Sequence, residues 1–76
     1  MIWFYTRGSE IRTCETRLAA DGEGYELIVT DSAGVHVETF TDMAQLLARE
    51  HEILSAWRAL GWRDTGARVP RPRNAH

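Results

Sequence analysis

The stretch MAQLLAREHEILSAWRAL, residues 43–60, decides the fold. At helical spacing Met43, Leu46, Leu47, Ile53, Leu54, Trp57 and Leu60 form one apolar stripe. It is the only long amphipathic helix the chain can build, and everything before it reads as strand. Thr41 or Asp42 supplies the cap. Asp42, with Gln45 three residues on, fits a capping box and complements the positive end of the helix dipole. The helix stops at Gly61, a natural left-handed residue just past the end. Trp62 then falls where it can pack back on Trp57, the apolar contact of a Schellman motif.

Upstream of the helix, four strands are punctuated by turns. Ile2 to Arg7 is followed by Gly8-Ser9, a two-residue hairpin loop. Glu10 to Ala20 is the second strand. Its alternation is imperfect, with Ile11 on one face and Cys14, Thr16 and Leu18 on the other, so a bulge near Arg12 or Thr13 is expected. Asp21-Gly22-Glu23-Gly24 is a turn. Tyr25 to Thr30 is the third strand, with Tyr25, Leu27 and Val29 on one face. Asp31-Ser32-Ala33-Gly34 turns the chain again, and Val35 to Phe40 is the fourth strand. Short loops make these strands sequential antiparallel neighbours. The expected architecture is α+β: a four-stranded antiparallel meander with one C-terminal helix packed on one face, ββββα, over residues 1–63. Residues 64–76, with Gly66, two prolines and three arginines, read as a flexible tail.

Seventy-six residues make one domain that buries only about 60% of its unfolded surface. Small scaffolds commonly need a disulfide, a metal or a partner subunit. Cys14 is the only cysteine, so an internal disulfide is excluded, and an unpaired cysteine reads as a small core residue in a reducing compartment. The N-terminal apolar run is too short for a signal peptide, and no stretch approaches the ~20 residues of a membrane span. A soluble cytoplasmic protein is expected. The histidines and Cys14 show no metal-ligand spacing, no glycine-rich phosphate loop joins a strand to a helix, and no cofactor is expected.

Two features stand out as candidates for function. Glu50 lies in the middle of the apolar stripe, at about 100° per residue. A carboxylate there is costly unless paired. It is expected to meet a sheet arginine such as Arg12 or Arg17, a polar group at a subunit interface, or, least of all, to serve as a general acid or base. The first strand is apolar on both faces, Ile2 and Phe4 on one and Trp3 and Tyr5 on the other. One helix covers only one face of a sheet, so the open face, with Trp3, Tyr5 and Ile28 on it, is expected to meet a second subunit or a ligand.

Charge is uneven. Residues 1–62 carry five arginines and ten acidic groups, residues 63–76 four arginines and Asp64, and the formal net charge is −2. Sheet aromatics beside a basic tail invite a single-strand nucleic-acid reading, with Arg68, Arg71 and Arg73 as the contacts, although the body is acidic.

The segment Leu46 to Leu54, followed by Trp57-Arg58-Ala59-Leu60-Gly61-Trp62-Arg63, resembles small bacterial proteins of unknown function, which implies no activity. Four meander strands followed by one helix is similar in order to the Whirly type of single-stranded-DNA-binding proteins, which act as oligomers. The reading drawn from the residues is a non-enzymatic interaction module, a homodimer or a binder of another protein, through Trp3, Tyr5, Ile28 and Glu50. Single-stranded nucleic-acid binding is the alternative.

Overall fold

The computed structural model describes residues 1–68, with side-chain surroundings as far as Thr65. Strands β1 (Ile2–Arg7), β2 (Glu10–Leu18), β3 (Tyr25–Asp31) and β4 (Gly34–Phe40) precede helix α1 (Met43–Ala59), and strand β5 (Arg63–Arg68) follows it. All pairings are antiparallel, in the order β4-β3-β2-β1-β5. The four-strand meander and its helix stand as the sequence implies. The segment from Asp64 to Arg68, read from sequence as tail, is instead part of a fifth strand.

The reason lies in β1. A strand apolar on both sides makes a poor sheet edge, and β5 covers it by pairing Trp3 with Ala67 and Tyr5 with Asp64. The extra residue in β5 forms a bulge between these pairs, closed where the Thr65 hydroxyl donates to the Phe4 carbonyl at 2.9 Å. The bulge expected in β2 is absent. β2 keeps continuous register with both neighbours, and Ile11 sits on the open face at 60% exposure.

Local chemistry sets the turns. The β2–β3 loop is closed by Gly22 N–H donating to the Ala19 carbonyl and by Asp21 Oδ1 accepting from Glu23 N–H, both at 2.9 Å. Gly24 has φ of 148°, and a Cβ there would stand 2.9 Å from the Phe40 carbonyl oxygen, so only glycine fits. In the β3–β4 turn Asp31 Oδ1 accepts from Ala33 N–H at 2.8 Å.

Asp42 caps α1, accepting from Ala44 N–H at 2.8 Å. At the other end Gly61 has φ of 92°, Trp62 N–H donates to the Trp57 carbonyl at 3.0 Å, and Gly61 N–H donates to that of Arg58 at 3.1 Å. These two bonds are the Schellman pair. Arg7 reaches over to the Leu60 carbonyl at 3.1 Å, and the Trp57 and Trp62 rings lie 6.4 Å apart.

The stripe that α1 buries is narrower than its sequence suggests. Leu46, Leu54 and Trp57 are buried and Ile53 packs partly against them, whereas Met43, Leu47 and Leu60 are exposed. From the sheet, Tyr5, Cys14 and Leu27 complete the core, with Trp62 closing its end. Each buried leucine contributes roughly 1.5–3 kcal/mol. Arg49 ties the outer flank of the helix to β4 by bonding Glu38 at 3.1 Å, and also pairs with Glu52. Both pairs are solvated and add at most about 1 kcal/mol. The result, among the described residues, is a two-layer plate of 37 × 35 × 21 Å with the helix on one side of the sheet.

Candidate interaction surface

Strand register assigns every sheet residue to a face. Trp3 is opposite Cys14, Cys14 is opposite Val29, and Val29 is opposite His36. Side chains alternate along a strand, so Trp3, Tyr5, Cys14, Leu27 and Val29 all face α1. This corrects the expectation that Trp3 and Tyr5 share the open face with Ile28. Both aromatics are turned inward because the helix offers partners for their polar atoms. Arg58 Nη1 donates to the Tyr5 hydroxyl at 2.8 Å, and Trp3 hydrogen-bonds the Glu50 carboxylate. Tyr5 is fully buried, its ring edge-on to Trp57 at 5.5 Å.

Glu50 therefore points at the sheet, but meets neither arginine expected for it. Arg12 lies over the rings of Trp62 at 4.2 Å and Trp57 at 5.4 Å. Arg17 is on the other side of the sheet, bonded to Glu26 at 3.0 Å. Burial pushes the Glu50 carboxyl up from its ordinary range, while the Trp3 hydrogen bond and the N-terminal ammonium pull it back down. Burial also pushes the Cys14 thiol up to about 12, aided by the charges of Glu50 and Glu38. A thiol so placed is not a nucleophile at neutral pH. The Tyr5 hydroxyl is raised as well, chiefly by burial and against the pull of Arg58. These groups form the structural seam between helix and sheet. Trp62 Nε1 is the one buried side-chain polar atom without a partner among the described residues.

Among the described residues no layer covers the opposite face of the sheet. Its cross-strand rows follow from the register. One row runs Phe4, Thr13, Thr30, Val35; the next runs Ile2, Glu15, Ile28, Val37; a third is Arg17, Glu26, Thr39; and Thr6 with Ile11 completes the β1–β2 end. Val35 is 64% exposed and Val37 52%. Ile28, at the centre of β3, is already sheltered by its neighbours to 7%. Ile2, Phe4, Ile11, Ile28, Val35 and Val37 thus share one side of the sheet, interleaved with threonines and Glu15, with the Arg17–Glu26 pair at one end.

Of the residues singled out from sequence, only Ile28 belongs to this surface. Ile2, Phe4, Ile11, Val35 and Val37 were missed, although tight two-residue hairpin loops and a core Cys14 together fix the parity that reveals them. Arg68 ends β5 opposite Ile2. Arg71 and Arg73 lie outside the described residues.

Elsewhere, a depression of about 440 Å³ lies beside the β2–β3 loop, lined by residues between Ala19 and Thr41 that include Asp21, Glu23 and Glu26. Among the described residues no set of three or more histidine, cysteine or acidic side chains is placed to hold a metal ion, and no helix is long and apolar enough to cross a membrane. Comparison with family models, with curated proteins and with solved structures gives no match.

Proposed function

We propose that this chain is a small, non-enzymatic protein-interaction module whose working surface is the uncovered face of its sheet. The observation that carries the reading is the exposure of Val35 and Val37 beside Ile28, Ile2 and Phe4 on the side away from α1. An antiparallel sheet with one solvated face ordinarily alternates apolar-in with polar-out. Here both sides of β1 and β4 carry large apolar groups, and the single helix covers only one of them. A single cysteine with no disulfide partner favours a reducing compartment such as the cytoplasm.

The test is association measured by sedimentation equilibrium from low to high micromolar concentration, for the parent chain and for Val37→Glu. Val37 is half exposed and lies on the face away from α1, so the variant is expected to keep its fold. It is expected to lose association. Self-association of the parent that persists undiminished in the variant would overturn the assignment of this surface.

The nucleic-acid alternative needs stacking aromatics at the surface. With Trp3 and Tyr5 turned inward, Phe4 is the one aromatic on the open face among the described residues, and the neighbouring charges include Glu15 and Glu26. No observation favours it.

A further inference from the structure

We infer that the partner for the open face is a second copy of this chain, stacked sheet to sheet about a two-fold axis that runs along the strands between β2 and β3. The inference rests on the interaction-module reading and adds the identity and register of the partner. It comes from the pattern of the rows. Rotation by 180° about that axis sets β2 against the partner's β3 and β1 against the partner's β4, with every row meeting itself. Phe4 and Ile2 then oppose the second copy's Val35 and Val37, and threonine opposes threonine at Thr13 and Thr30.

The charges decide between this axis and others. Arg17 and Glu26 are Cα partners and form an ion pair, Nε to Oε1 at 3.0 Å. Superposed on its own two-fold image, the pair becomes a quartet in which each guanidinium faces the other copy's carboxylate. Arg17 spends only Nε on Glu26. Its other donors are free to bond the second carboxylate, and a guanidinium carries five N–H groups in a fixed fork. A two-fold axis running across the strands between the two apolar rows would instead set Arg17 against Ile11 and Glu26 against the Ser32 turn, leaving both charges without an opposite. An isologous contact requires a self-complementary patch, and a partner of one strong sign would repel half of this rim.

The size of the patch sets the strength. Four strands about 4.8 Å apart and about 20 Å long present roughly 400 Å² in projection on each copy. The two copies together contribute about 800 Å² in projection, below the roughly 1,200 Å² at which specific interfaces begin. The dimer is therefore expected to be weak. Glu15 is the one charge that this register sets against an apolar side chain, the second copy's Ile28, so Glu15→Gln should tighten association.

The experiment is sedimentation equilibrium at low salt on the parent chain, Val37→Glu, Arg17→Glu and Glu26→Arg, with thermal melts to confirm the fold. Arg17→Glu places four carboxylates together and Glu26→Arg four guanidiniums, so each alone should associate at least tenfold more weakly than the parent. An equimolar mixture of the two restores two of each charge and should associate again. Parent-like association of both single variants, or no recovery on mixing, overturns the register. Loss of association in Val37→Glu would at the same time uphold the face. Weaker association of Glu15→Gln also overturns the register. A parent chain that stays monomeric throughout overturns the second copy as partner.

Discussion

Glu50 shows how one side chain reports on its surroundings. Its carboxyl is raised by burial, so the folded protein binds that proton more tightly than the unfolded chain does. The favourable contribution is complete below the unfolded value of about 4.3 and is lost as pH rises through the higher folded value. At neutral pH the ionised group is a net burden, only partly relieved by the Trp3 indole. Glu50→Gln keeps an acceptor for that indole and removes the charge. We expect its melting temperature to exceed that of the parent by a few degrees at pH 7 and the difference to vanish below pH of about 4, as paired thermal melts at the two pH values will show. Cys14 gives the complementary expectation. Fully buried, with its thiol pushed up to about 12, it should resist thiol reagents in the native protein and react at once in denaturant. Rapid native labelling would mean that the seam between helix and sheet opens readily. That Glu50 is an anomaly was legible from spacing alone. Its partner was not, because Trp3, Arg12 and Arg17 stand on three different strand positions whose facing depends on register.

The helix, taken as an element, was readable from end to end because its limits are local chemistry: an aspartate that accepts from Ala44 N–H and a glycine that takes positive φ. Strand β5 was not. Arg63-Asp64-Thr65-Gly66-Ala67-Arg68 has no apolar alternation, carries a glycine, and would not hold as a strand by itself. It exists because β1 supplies a ladder of backbone donors and acceptors to complete. Removal of residues 63–76 is expected to leave the meander and helix in place but to lower the melting temperature and promote aggregation through the bared edge of β1. Far-ultraviolet circular dichroism and light scattering on the truncated chain test both halves. Unchanged melting would show that β5 contributes nothing to stability. The facing of β1 is a subtler case. Ile2-Phe4 and Trp3-Tyr5 are equally apolar, and composition cannot choose between them. The tight Gly8-Ser9 loop, by aligning Arg7 with Glu10, sets Trp3 beside Cys14 and settles the choice.

As a whole the molecule is a plate with unlike sides. One carries the helix, the buried aromatics and every buried titratable group; the other carries aliphatic and threonine side chains with an Arg17–Glu26 pair at one end. The buried core lies on the first side, and the proposed contact lies on the second. Substitutions such as Val37→Glu should therefore change oligomeric mass without changing the melting temperature of the dilute monomer, whereas Glu50→Gln should do the reverse. If both variants moved both quantities together, the two sides would not be separable.

The seating of β5 against β1 also bears on how the chain is made. Trp3 pairs with Ala67, which is synthesised about sixty residues after it. Until then the nascent sheet has β1 as a free edge, apolar on both sides and able to pair with any passing strand. The most adhesive strand of the sheet is thus sealed only after the whole helix has been made, and β5 must find its place before another strand does.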